Sequence, residues 1–165
     1  MRITARGSYA LRALVDLASQ ESAQPVSLRQ IAARGNISVS YLEQLFLKLR
    51  RKKLVRSVRG PGGGYLLDRE AADITVADVV EAVEEKIEPI YCVDPGSDRT
   101  CPLEPCCAAH DVWQGLAERI REYLSSVRLD ELVRKSRAMR PGNEAATNGD
   151  PFAVLPRGAS GERKP

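Results

Sequence analysis

Histidine is nearly absent from this sequence: there is one in 165 residues, beside four cysteines and one tryptophan. A single histidine leaves little room for a nucleophile–base relay, and no paired-carboxylate constellation stands out, so the chain is not expected to be an enzyme. No uncharged apolar run approaches the roughly 18–20 residues of a membrane span. The first residues, MRITARGSYALRALVDLAS, start basic, but Asp16 interrupts them before any long apolar stretch, and no signal peptide is expected. The expected location is therefore cytoplasmic, where stable disulfides are rare. There is no internal repeat, which argues against a solenoid. A hydrophobic content of 43% is too high for a wholly disordered chain, and this length supports one sizeable core plus extensions.

Acidic residues are scarce in the first part of the chain. Residues 1–67 carry 12 Lys/Arg and 3 Asp/Glu, a net +9, whereas residues 68–139 carry 9 and 16, a net −7. A merely uneven surface is one explanation. A polyanion-binding module coupled to a second function is the other.

Apolar residues Tyr9, Ala13, Leu14, Leu17 and Ala18 form a helical stripe over 8–20. Ser27 and Gln30 have capping-box spacing, and Gly35 reads as a helix stop, so a short helix over 28–34 is expected. Val39, Leu42, Leu45, Phe46 and Leu49 then mark the buried face of a second helix, 39–51, after the turn GNIS. Two β-prone runs, Leu54–Val58 and Tyr65–Leu67, flank the loop Gly-Pro-Gly-Gly-Gly and read as a hairpin. Helix, helix, hairpin is the order of a winged helix. A core helix starting at Thr75 carries Val76, Val79, Val80 and Val83 on one face.

From Asp111 a wide stripe of Val112, Trp113, Leu116, Ala117, Ile120, Tyr123, Leu124 and Val127 suits either a dimer seam or packing onto the same chain. LDELV adds at most one more helical turn. The expected fold class is mainly α with a small β-hairpin: a winged helix-turn-helix plus a long C-terminal dimerisation helix. Its expected parts are a DNA-binding domain (1–85), a ligand-bearing loop (86–110), a dimerisation region (111–137) and a disordered tail (138–165).

The helix over 39–51 carries side chains suited to base edges. Gln44 can pair with adenine, Glu43 can accept from cytosine N4, and Ser40 can serve base or phosphate. Glu43 would discriminate, since phosphates repel it unless a cytosine donor compensates; alternatively it pairs with a Lys or Arg of its own helix. Lys48 and Arg51, with Arg50, Lys52 and Lys53, suit phosphates, and Arg59 on the wing suits a minor groove.

All four cysteines and the histidine fall in CVDPGSDRTCPLEPCCAAH, residues 92–110. Disulfides are disfavoured by the compartment. The paired C-x2–4-C knuckle of common zinc sites is missing, yet three thiolates and one imidazole remain sound zinc ligands. An iron–sulfur cluster, ligated mostly by thiolates with an occasional histidine, is the other reading. Spacing leaves zinc and iron–sulfur both open.

The run SYLEQLFLKLRRKKLVRSVRGPGGGYLL, followed by a Cys/His loop ending CAAHDVW, resembles the family of winged-helix transcription factors around the iron–sulfur cluster regulator IscR, over about residues 1–135. The resemblance implies a homodimer on a double-stranded DNA operator. It implies a [2Fe–2S] cluster held by Cys92, Cys101, Cys107 and His110, received from the cluster-assembly machinery. It further implies repressor and activator roles centred on cluster-biogenesis genes, with Ser40, Glu43, Gln44 and Arg59 at the DNA. The interval from Cys92 to Cys101 is longer than usual there, and Cys106, four residues before His110, competes with Cys107 as a ligand. A cluster with three thiolates and one neutral imidazole has a net charge of about −1 rather than about −2, which makes it easier to reduce. A zinc- or thiol-redox-dependent regulator of the same fold, or an electron-transfer protein, are the alternative readings.

Overall fold

The computed structural model of the chain describes residues 5–20, 24–83, 93 and 107–139. Its helices start where the sequence provides caps. Helix α1 spans Ala5–Ala18. Helix α2, Leu28–Gly35, begins with a capping box: Ser27 Oγ accepts from the Gln30 amide, and Gln30 Oε1 accepts from the Ser27 amide at 2.9 Å. It ends differently from expectation. Gly35 is the last helical residue, buried beside Ile37, and the left-handed residue is Asn36 at φ 48°. Asparagine tolerates this conformation because its short polar side chain bonds locally.

Ser38 then caps α3, Val39–Arg51, by accepting from the Tyr41 amide. Helices α2 and α3 form the helix-turn-helix. Leu42, Leu45, Phe46 and Leu49 are all buried, as the stripe requires.

The hairpin pairs β1 (Val55–Val58) with β2 (Gly64–Leu67) antiparallel, Val55 opposite Leu67 and Val58 opposite Gly64. Gly60 and Gly62 take φ of +107° and +77° in the loop between them. The wing is seated in two ways. The Tyr65 ring meets Phe46 of α3 edge-on at 4.8 Å, and Tyr65 exchanges backbone hydrogen bonds with Val26, ahead of α2. Gly64 lies so close to the Val26 carbonyl that a side chain there would collide with backbone.

A short 3₁₀ turn, Ala71–Asp73, leads to α4, Val76–Ala82, which starts with a second capping box between Thr75 and Asp78. Val76, Val79, Val80 and Val83 are buried, as their spacing predicts.

Helix α5 spans Ala108–Ser126, so it begins three residues before Asp111 and includes His110. Its apolar stripe is divided. Ile120, Leu124 and Val127 pack with Leu11 and Leu132 against Val76 and Val80, while Val112, Trp113, Leu116 and Tyr123 stay exposed. Helix α6 runs Leu129–Met139, longer than the single turn expected, and packs on α1 and the 3₁₀ turn. Leu129 is fully buried in the main core, and Val133 is also buried. The α5–α6 corner is tied to the start of α4 by backbone bonds from Val76 to Val127 and from Leu129 to Ile74, both 2.9 Å. Residues 140–165, most of the expected tail, lie outside the described residues.

One charge is buried among the described residues. Asp16 of α1 is 5% exposed and accepts from Arg34 of α2 through both carboxylate oxygens, at 2.7 to 3.1 Å. Removing the cation strands the anion, so Arg34→Ala should lower stability by about 3 kcal/mol in urea unfolding. Asp16→Leu combined with Arg34→Met should recover most of that loss. A loss below about 1 kcal/mol for Arg34→Ala would mean the pair behaves as a surface bridge.

Candidate functional site

Helix α3 turns its core face inward and thereby presents the opposite face. Ser40, Glu43, Gln44 and Arg51 are all exposed, and Lys48 is half-buried. Among the described residues Glu43 makes no hydrogen bond or ion pair, so pairing with a neighbouring Lys or Arg on α3 is not observed. Its carboxylate is therefore available to an external donor. Arg59 is exposed at the turn of the wing, directly after β1, and Arg56 is exposed within that strand. The Phe46–Tyr65 contact fixes wing and helix relative to one another, so Arg59 and the α3 face belong to one rigid surface. This face also carries Leu47, 42% exposed, which the stripe analysis passed over. Its signal in the sequence is an apolar residue off the core stripe.

The second group lies at the start of α5. Cys107 is the N-cap residue, its side chain makes no capping bond, and its carbonyl accepts from the His110 amide at 2.9 Å. One turn separates the thiol from the imidazole, so backbone geometry brings the two to the same end of the helix. His110 Nδ1 is buried without a hydrogen-bond partner among the described residues. A buried polar atom with no partner is costly unless something else satisfies it. Cys92, Cys101 and Cys106 lie outside the described residues, and among the described ones no three His, Cys, Asp or Glu side chains converge. The donor set that is described, one thiol and one ring nitrogen, fits a soft metal centre.

A chain of this layout has known relatives. The family model described as Rrf2, iron-dependent transcriptional regulator, matches residues 3–135. The chain belongs to the Rrf2 family of transcriptional regulators. Among curated Rrf2-type relatives, a putative HTH-type transcriptional regulator of Azotobacter vinelandii, ORF2, is 48% identical over 82% of this chain and 81% of its own. The HTH-type transcriptional regulator IscR of Xenorhabdus nematophila is 45% identical over 84% of this chain and 83% of its own. Among solved structures, T. potens IscR superposes with a TM-score of 0.69 at 33% identity, covering 87% of this chain and 93% of that one. CymR, the global cysteine regulator of B. subtilis, superposes with a TM-score of 0.67 at 32% identity, covering 82% and 98%. The helix-turn-helix and wing are thus those of a DNA-binding Rrf2 regulator. No helix among the described residues is long and apolar enough to cross a membrane.

Proposed function

We propose that this chain is a homodimeric, cytoplasmic regulator whose operator binding responds to a [2Fe–2S] cluster and which controls genes of cluster biogenesis, by repression or activation according to the promoter. Cys92, Cys101, Cys107 and His110 would hold the cluster, received from the assembly machinery. The carrying observation is the buried, unpartnered Nδ1 of His110, one turn from the uncapped thiol of Cys107. The iron-dependent description of the family and the resemblance to IscR support the same reading. CymR, described as a global cysteine regulator, shares this fold, so the fold by itself does not choose what is regulated; the thiol–imidazole pair favours metal. When bound, such a cluster supplies a ligand whose occupancy depends on oxidation and supply. With His110 as one ligand its net charge would be low, and sensitivity to oxidants would suit it to reporting rather than to durable electron carriage.

At the DNA, Ser40, Glu43 and Gln44 meet base edges, Lys48 and Arg51 meet phosphates, and Arg59 enters a minor groove. The test is the visible spectrum and the iron and sulfide content of anaerobically prepared protein. About two iron and two sulfide per chain, with a reddish-brown colour, are expected of the named cluster. Colourless protein holding stoichiometric zinc and no sulfide after reconstitution would favour the zinc reading instead.

Glu43 and Arg59 should behave differently at the operator. Glu43→Ala should bind better to sites lacking the cytosine, relaxing discrimination by about 1–3 kcal/mol. Arg59→Ala should weaken binding across most sequences, because a groove cation attracts them all. Titration against operator variants at fixed salt separates the two. An equal loss of affinity for every variant in Glu43→Ala would exclude a discriminating role.

A further inference from the structure

Six large apolar side chains are prominently exposed among the described residues. Four lie on α5 and Met139 ends α6. The sixth, Leu47, stands alone on α3 at 42% exposure. Its position around the helix is what matters. At 3.6 residues per turn it lies about 150° from the centre of the buried face formed by Leu42, Leu45, Phe46 and Leu49. It therefore sits inside the outward stripe, one turn after Glu43 and Gln44 and one turn before Arg51. No core contact explains a leucine there, and polar residues surround it along the stripe.

We propose that Leu47 reads the C5-methyl group of thymine in the major groove. This rests on the reading that α3 enters that groove. Leucine has no donor or acceptor, and of the groups displayed along the major-groove edges of the standard bases only the thymine methyl offers it an apolar partner. A helix rises about 1.5 Å per residue, so Leu47 lies about 5 Å along α3 from Glu43 and Gln44. With base pairs about 3.4 Å apart, the thymine falls about one to two base pairs from the position read by those residues. Glu43, Gln44 and Leu47 then define a short word in which polar edges and one methyl are read side by side. Leu47 is a specificity-determining residue in this arrangement, contributing shape and apolar contact where its neighbours contribute hydrogen bonds.

The experiment uses the full chain, with and without cluster, and duplex sites selected from a randomised library. Each thymine in a selected site is replaced in turn by deoxyuridine, which lacks only the methyl group. One thymine in each half-site, within about two base pairs of the pair sensitive to Glu43→Ala, should lose about four-fold in affinity per methyl removed, the value of one buried carbon. Leu47→Ala should bind thymine and uracil versions equally, while Leu47→Met should keep the preference. If Glu43→Ala and Gln44→Ala alter binding but no uracil replacement separates wild type from Leu47→Ala, the assignment of Leu47 is overturned and the reading of α3 stands. If Glu43→Ala and Gln44→Ala are themselves without effect on any site, the reading of α3 fails and Leu47 falls with it.

Discussion

Cys107→Ala protein is expected to remain colourless after anaerobic reconstitution, while Cys106→Ala keeps both iron and sulfide. The two thiols are adjacent in sequence, and spacing to His110 gives either one a claim. The start of α5 separates them. The helix begins at Ala108 with Cys107 as its N-cap, so the relation between Cys107 and His110 is set by helical backbone and by the 2.9 Å bond between them. Cys106 lies outside the described residues, so its i, i+4 relation to His110 rests on sequence spacing alone. A helix N-terminus also favours negative charge, which suits a centre with a net charge of about −1. Loss of one of four ligands should prevent the absorption from appearing even without air. The opposite result, with Cys106→Ala colourless and Cys107→Ala coloured, would show that the longer interval after Cys92 shifts the ligand register by one residue.

Replacing Leu116 and Tyr123 together by glutamate should convert the protein into a folded monomer. These residues are 41% and 67% exposed on the chain by itself, so the substitutions remove little from its own core. Across a seam between two copies the same carboxylates would be buried without partners, which is strongly unfavourable. Sedimentation should show the mass of one chain, and far-UV circular dichroism should match the wild type. Affinity for a two-half operator should fall by at least about 100-fold, because the second half-site is then no longer an intramolecular target. Ile120→Glu is the contrasting control. It faces Val76 and Val80 within the chain and should lower thermal stability instead. A folded Leu116→Glu/Tyr123→Glu protein that still sediments as a dimer would place the seam elsewhere.

Helix α3, the wing and the Ser27–Gln30 capping box are legible in the sequence because each depends on residues within a few positions of one another. Ser27 with Gln30 and the glycines after Arg59 are local signals of this kind; Thr75 with Asp78 is another, which the reading of α4 from its valines passed over. The features that escape depend on distant partners. Helix α6 has a narrow apolar stripe of Leu129, Leu132 and Val133 among many charges. It persists over 11 residues because α1 covers that stripe, and an Asp130–Arg134 bridge of 2.6 Å supports the exposed side. Asp16 looks like an interruption of an apolar segment until Arg34, 18 residues later, supplies its partner. The stripe of α5 is continuous in sequence, and only the placement of α4 divides it into a covered and an open side. The Cys/His segment is recognisable by composition, yet of its candidate ligands only Cys107 and His110 fall on described residues.

The two backbone bonds that join Val76 to Val127 and Leu129 to Ile74 clamp α5 at one end. Cys107 and His110 stand at the other. A helix of 19 residues is about 28 Å long. Geometrically it is a lever with its fulcrum beside α4 and its far end at the thiol and imidazole. A tilt of about 5° at the fulcrum displaces the far end by about 2.4 Å, roughly the length of one metal–sulfur bond. Val112 rides near the tip of that arm, where its travel is greatest, and Leu116 near its middle. A small rotation of α5 beside α4 is thus magnified at the thiol and imidazole.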